Sequence, residues 1–312
     1  METRPLGRSG LSASLVGLGC NNFGMKIDLA ASRAVIDAAL DAGVDFFDTA
    51  DMYGNGKSEE FLGQALEGRR GRALVATKFG GMAMAGNTGE RWGSREYVRK
   101  SVDASLARLR TDRIDLYQMH YPDPRTPIAE TLGALAELVR EGKVRAVGCS
   151  NFSAAQLDEA AARASEQGAA RFETAQNEWS LLKREAEADV IPACEKQGLA
   201  QLPYFPLASG LLSGKYKRGQ AAPEGSRIAV LPYFKAAMSD ANMQKVEALE
   251  RFARSRSRTL LELAISWLAS QKCTGSVIAG ATTPEQVRAN ALAAGWRLSR
   301  EELAEVDRLA PR

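Results

Sequence analysis

Short apolar runs alternate with longer amphipathic ones along most of this chain. Residues 15–19, 44–48, 74–78, 114–120, 144–149, 172–176, 199–204 and 276–279 are brief and mostly apolar, which predicts strands. Between and after them, a helical spacing of apolar positions predicts helices over 30–41, 58–66, 94–109, 128–140, 153–164 and 185–196. Further helices are expected near 242–254, 259–270, 284–294 and 299–309. Ser94 is a good N-cap residue, and Gly43 and Gly142 follow the ends of two helical runs. Ahead of the alternation, residues 4–18 carry a Gly7-to-Gly10 turn signal between extended pieces, which predicts a hairpin. Residues 209–239 are rich in Gly, Pro and Lys and show no period. An irregular stretch of that length is a functional lid or a disordered segment.

About eight strand–helix units imply a parallel sheet with right-handed crossovers. Over 312 residues they fit a closed barrel better than an open sheet. The expected fold is an α/β protein: a (β/α)8 TIM barrel with an N-terminal β-hairpin and extra C-terminal helices. No shift of composition divides the chain, so residues 1–312 are expected to form one barrel domain.

Composition narrows the function only a little. The chain is 45% apolar and 25% charged, with a net charge of +3 spread evenly over both signs. So mild a balance, with no basic block, argues against nucleic acid as the main partner. There is no long apolar run, and the first five residues lack the character of a signal peptide, so a cytoplasmic location is expected and no membrane contact. Cys20, Cys149, Cys194 and Cys273 lie far apart and read as reduced thiols. With one histidine and no clustered cysteines, a structural zinc site is not expected, and the site is read as needing no metal.

The candidate chemistry sits at the strand ends. Asp48 ends the second strand run, Lys78 the third and His120, the chain's only histidine, the fourth. Tyr53 lies five residues past Asp48, on the same loop. In a barrel these ends share one mouth, where active sites form. The set suits proton delivery to a carbonyl oxygen. A tyrosine with its ordinary value near 10 is a poor acid at neutral pH, and a nearby ammonium would lower that value. Asp48 would keep Lys78 charged and placed, while a neutral His120 would orient the substrate oxygen. Taken singly, each residue has a plainer reading as a cap, a solvated strand end or turn packing.

These residues and several other runs resemble the aldo-keto reductases, over nearly the whole length. The runs are 4–11 (RPLGRSGL), 17–19 (GLG), 148–152 (GCSNF), 176–180 (QNEWS), 204–215 (YFPLASGLLSGK) and 277–280 (VIAG), followed by Gln286 and Asn290. The resemblance implies a barrel that binds NADP(H) and reduces a small-molecule carbonyl substrate, with Tyr53 as general acid and Asp48, Lys78 and His120 completing a tetrad. It implies that Ser150, Asn151 and Gln176 hold the nicotinamide carboxamide and that Tyr204 stacks on the ring. Leu207, Ser209 and Lys215 would follow the pyrophosphate, and Gly280, Thr282, Gln286 and Asn290 the adenosine end. Some branches carry a lysine and an arginine at the positions of Gly280 and Gln286 to grip the 2′-phosphate; this chain does not. Trp92, Tyr121 and Trp179 are candidates for the substrate wall, with Trp92 also readable as a loop anchor.

Read from the residues alone, Tyr204 is equally a packing residue, and the basic run 215–218 is either a solvated lid face or a phosphate clamp. Gly17 and Gly19 lack the third glycine of a dinucleotide fingerprint, because Asn22 stands there. A second reading comes from relatives such as the potassium-channel β subunits, in which the same site would serve a cofactor-binding regulatory subunit. A barrel isomerase or hydrolase without cofactor would leave Tyr204 and Asn151 as coincidences.

Overall fold

A computed structural model describes residues 1–86, 89–167, 169–224, 226–230 and 237–312, with a few side chains in these ranges left aside. Eight parallel strands are hydrogen-bonded in one sheet: β3 (Val16–Gly19), β4 (Phe46–Asp48), β5 (Leu74–Phe79), β6 (Ile114–Met119), β7 (Val144–Ser150), β8 (Thr174–Gln176), β9 (Ala200–Gln201) and β10 (Val277–Gly280). Their order is β10-β3-β4-β5-β6-β7-β8-β9. Isolated parallel bridges, Gln201 with Thr274 and Tyr204 with Ile278, join the last strand to the first. The sheet is therefore curled round, and the fold is a (β/α)8 barrel.

Helices cover the outside: α1 (Leu29–Asp41), α2 (Lys57–Ala65), α3 (Gly81–Gly86), α4 (Arg95–Leu109), α5 (Ile128–Arg140), α6 (Ala154–Gln167), α7 (Val190–Gln197), α8 (Arg227–Val230), α9 (Asp240–Ser255), α10 (Leu260–Ala269), α11 (Pro284–Ala293) and α12 (Arg300–Leu309). Several starts follow from one residue. Ser94 accepts from the Tyr97 N–H at the head of α4. Thr259 with Glu262 and Ser299 with Glu302 form capping boxes at α10 and α12. Thr283 caps α11, with Pro284 in its first turn.

The hairpin pairs β1 (Thr3–Pro5) with β2 (Ser12–Ser14). Its Leu6, Leu11 and Ala13 pack on Phe46, Ala76, Leu116, Ala146, Ala200, Leu202 and Ile278. That cluster is the apolar floor of the barrel interior. Because strand side chains alternate, the residues two places further along three of these strands also face inward: Asp48 after Phe46, Lys78 after Ala76, Gln118 after Leu116. The floor thus gives way, one layer up, to charged and amide groups. Close approach of strands calls for glycine there: a Cβ on Gly148 would lie 2.1 Å from Thr174 Oγ1, and one on Gly17 2.8 Å from Phe46 Cδ1. Gly17 and Gly19 are strand residues of β3, in keeping with their reading as strand chemistry.

Several segments differ from expectation, among them α3, which lies where no helix was expected. The helix expected over 185–196 is a 3-10 turn, Glu185–Glu187, followed by α7. Pro192 lacks an N–H and would clash with the carbonyl four residues back, so the helix has to start again with the proline in its first turn. The strand expected over 199–204 is reduced to two residues, since Pro203 cannot donate to a ladder. Within 209–239 lie the end of a 3-10 turn, Ala208–Ser213, and α8, while residues 225 and 231–236 fall outside the described residues. Among the described residues no helix is long and apolar enough to cross a membrane.

Candidate active site

At the layer above the floor, Lys78 is fully buried at the end of β5. Its Nζ donates to Asp48 Oδ2 at 2.7 Å and to the Thr49 carbonyl at 3.0 Å. The other carboxylate oxygen of Asp48 accepts from Gln176 Nε2 at 2.9 Å and Gln118 Nε2 at 3.3 Å. A carboxylate with both oxygens engaged can hold an ammonium out of water. Burial pulls Lys78 down, but Asp48 and Tyr53 together outweigh it, and the ammonium is held above the ordinary lysine range.

Tyr53 begins a 3-10 turn just past β4, and its ring centroid lies 5.1 Å from Lys78 Nζ. Here the electrostatics depart from the sequence expectation. Burial pushes the phenol up; Lys78 pulls it down but does not prevail, so Tyr53 sits above its ordinary value. Dehydration of the phenolate costs more than one already-paired ammonium returns. The phenol is therefore protonated at neutral pH.

His120 follows β6, and its ring is 5.9 Å from that of Tyr53 and stacked on Tyr121 at 4.7 Å. Burial, with Lys78 adding to it, holds the imidazole well below its ordinary value, so the ring is neutral. Among the described residues Nδ1 has no hydrogen-bond partner, and a Cβ on Gly81 would come within 2.7 Å of it. The nitrogen left for a ligand is Nε2.

Above this set opens a cavity of about 770 Å³. Asp48, Tyr53 and His120 line it, while Lys78 stays behind them. All the residues expected near a cofactor line it too: Ser150, Asn151, Gln176 and Tyr204 beside the tetrad, then Leu207, Ser209 and Lys215, then Gly280, Thr282, Gln286 and Asn290. Tyr121 is on the wall. Trp92 is not: its Nε1 donates to the Tyr121 carbonyl at 3.0 Å, so it acts as the loop anchor. Trp179 does not reach the cavity either. It is 1% exposed, packed edge-on against Trp267 in the helical core, with Nε1 on Glu187. Its aromatic surface serves packing, not a substrate.

The side chains near the tetrad fit a carboxamide in a specific sense. Asn151, in the left-handed region at φ 62°, spends its amide N–H groups on the His120 carbonyl and Ser150 Oγ. Its Oδ1 accepts from the Tyr204 hydroxyl at 2.8 Å, which pins the ring of Tyr204. Ser150 Oγ donates to the Gln176 carbonyl. The lone pairs left on Asn151 Oδ1 and the Gln176 side-chain oxygen are acceptors, suited to an amide NH2 group. Further along, Ala208, Ser209 and Gly210 all have positive φ after Leu207, and the turn spends the Ala208 and Gly210 N–H groups on the Phe205 and Leu207 carbonyls, so the positive charge on this part of the wall is that of Lys215. The head of α11 adds its dipole at Thr282 and Gln286. Acceptors at one end, with Lys215 and the head of α11 further along, suit a nicotinamide dinucleotide.

Several lining groups escaped the sequence reading: Asn22, Lys26 and Phe205 among them. Gln118, the third partner of Asp48, escaped as well, although its place two residues before His120 is a usable signal.

The barrel mouth thus sets a protonated phenol against a buried ion pair, beside a long cleft. The family model described as Aldo/keto reductase family matches residues 15–311. "Aldo-keto reductase YhdN" of Bacillus subtilis (strain 168) is 34% identical, covering 98% of this chain and 93% of its own length. Proteins named "Probable voltage-gated potassium channel subunit beta" from Oryza sativa subsp. japonica and Arabidopsis thaliana are each 35% identical, covering 93% of this chain and 90% of theirs. The chain belongs to the aldo/keto reductase family, whose members are oxidoreductases that generally bind NAD(P)H and act on small-molecule carbonyls.

Proposed function

We propose that this chain is an NADPH-dependent oxidoreductase that reduces an aldehyde or ketone to the alcohol, with Tyr53 as general acid. The bound dinucleotide would supply hydride to the carbonyl carbon. The chain's own residues do the rest. His120 Nε2 donates to the carbonyl oxygen and orients it. Tyr53 gives its proton to that oxygen as negative charge builds. Lys78, kept charged by Asp48, stabilises the phenolate left behind. Ser150, Asn151 and Gln176 hold the carboxamide, Tyr204 backs the ring, and Leu207, Ser209, Lys215, Gly280, Thr282, Gln286 and Asn290 carry the remainder. The observation that carries the reading is Tyr53 and His120 together on the cavity wall, with the Lys78–Asp48 pair sealed behind them.

The test is NADPH consumption, against NADH, over aliphatic, aromatic and dicarbonyl substrates, with Tyr53→Phe alongside. The variant should lose on the order of 100- to 10,000-fold in kcat, the usual share of a general acid, while binding cofactor normally. Near-normal turnover in the variant would refute the assignment. Two similar proteins carry channel-subunit names, which favours one alternative: a cofactor-binding regulatory subunit. Tight NADPH binding with negligible turnover on every carbonyl, together with a stable protein partner, would bring that alternative forward.

A further inference from the structure

Two buried carboxyl groups close to the tetrad take no part in it. Glu59, on α2, is fully buried and bonded through both oxygens: Thr77 Oγ1 donates to one at 2.5 Å and Arg108 Nε, from α4, to the other at 2.6 Å. Asp51 sits on the loop between β4 and α2, two residues before Tyr53. It is 6% exposed and does not line the cavity. Its backbone N–H donates to the Lys78 carbonyl at 3.0 Å, and its Oδ2 accepts from the Gly80 N–H at 3.1 Å. Among the described residues, Oδ1 is buried with no hydrogen-bond partner, as is the Tyr117 hydroxyl on β6.

Asp51 therefore joins the chain that carries Tyr53 to the chain that has just delivered Lys78, once through its backbone and once through its side chain. The next residues leave no slack. Gly80 has φ +88°, and a Cβ on Gly81 would come within 2.7 Å of both Met52 Sδ and His120 Nδ1. Movement of the Tyr53 loop against this turn would disturb the phenol, the ammonium and the imidazole together.

We propose that Asp51 is a positioning residue for the reaction: its carboxyl group clamps the Tyr53 loop to the Gly80–Gly81 turn and so fixes the phenol against Lys78 and His120. The inference rests on the reductase reading of the site.

The charge state supports it. Burial, and then Glu59, push the carboxyl up to about 7, against the pull of the Gly80 and Met52 N–H groups and of Arg108. The groups that face this cluster are Glu59 from α2, Arg108 and Tyr97 from α4, and Tyr117 from β6. Arg108 is the cation among them, and it is already bonded to Glu59. An ionised Asp51 sets a second negative charge beside Glu59 with one oxygen unpaired, which is costly in a buried place. The neutral acid keeps the bond to Gly80 without that repulsion.

The experiment compares Asp51→Ala and Asp51→Asn in the full chain. Alanine removes the acceptor; asparagine keeps one and carries no charge. For alanine the expected result is a kcat lower by on the order of 10- to 100-fold, the scale of small misplacements, with the NADPH dissociation constant within about twofold of the parent. Asparagine should restore most of that loss and remove the change in kcat that the parent shows as the pH rises through about 7. Amide exchange at Gly80 and Tyr53, measured without substrate, should quicken in the alanine variant and return toward the parent rate in the asparagine variant. Exchange does not depend on turnover. If no protein, parent included, reduces a carbonyl, the reductase reading fails while exchange still judges the clamp. Parent-like kcat and exchange in the alanine variant would overturn the proposal. So would an asparagine variant as impaired as alanine with an unaltered pH profile.

Discussion

Removing an ammonium from water costs several kcal/mol, and an arrangement that leaves Lys78 without access to solvent has to repay that cost locally. Asp48, the Thr49 carbonyl and two glutamine amides do so as one unit. The same low-dielectric setting holds Tyr53 protonated and His120 neutral, the states a general acid and a carbonyl-orienting donor require. It also makes Asp51 a liability to folding. Its carboxyl ordinarily ionises near 3.8 and in the fold near 7. Below the first value both states are protonated and nothing is lost. Between the two, the unfolded chain ionises while the fold keeps its proton, so stability falls as the pH rises, and the loss is complete above the second. Asp51→Asn should thus gain on the parent progressively from about pH 4 to pH 7, by on the order of a few kcal/mol, and then level off. Chemical denaturation at several pH values measures this; a constant difference between the two proteins would contradict it. At this scale the tetrad was legible because spacing alone puts Asp48, Lys78 and His120 at strand ends. The rank of burial over charge at Tyr53 was not, since depth is a property of the packed barrel. Nor was the fate of Trp179, whose neighbour Trp267 lies far along the chain.

Among the elements, α11 and the end of β10 would, on the proposed reading, set the terms for the adenosine end of a cofactor. Gln286 is turned back onto Thr282, accepting from its backbone N–H at 2.8 Å, and Gly280 offers no side chain. Neither brings a positive charge. A Cβ on Gly280 would meet nothing closer than 3.4 Å, ordinary contact, so a larger residue can stand there without strain. Gly280→Lys with Gln286→Arg should raise the preference for NADPH over NADH by about tenfold, the worth of a charge-assisted hydrogen bond. Titration of both cofactors against parent and variant decides it, and an unchanged ratio would place the 2′-phosphate elsewhere. Helices with a clear apolar stripe and a capping residue, such as α4, were readable to within a residue or so. Among the elements that were not are α3, in a glycine-rich stretch with no helical period, and two that a proline interrupts. Pro192 restarts a helix and Pro203 ends a strand early, and both effects depend on neighbours in space.

For the molecule as a whole, the alternation of runs was enough to predict the barrel, because eight buried parallel strands leave few other ways to cover both faces. What sequence could not supply was which residues bridge the seam of the sheet, and the extent of the cleft, since both involve residues far apart in the chain. The cleft draws on β3, β4, β7, β8 and β10 as well as the loop after β9. A ligand filling it touches most of the barrel at once. Bound only by the folded chain, NADPH at a hundred times its dissociation constant should add about 2.7 kcal/mol of stability and raise the melting temperature. Thermal melts at stepped cofactor concentrations test this, and a flat response would mean that the cleft does not take the dinucleotide.

One further consequence follows from the way the sheet closes. β9 meets β10 through isolated bridges rather than a continuous ladder, and one of them pairs Tyr204 with Ile278. The ring of strands is a hoop with a clasp, and the clasp opens onto the same cleft. A dinucleotide seated there would lie across the joint like a pin through a hasp. An empty barrel would then come apart first at this joint, and each arriving cofactor would lock the hoop that holds it.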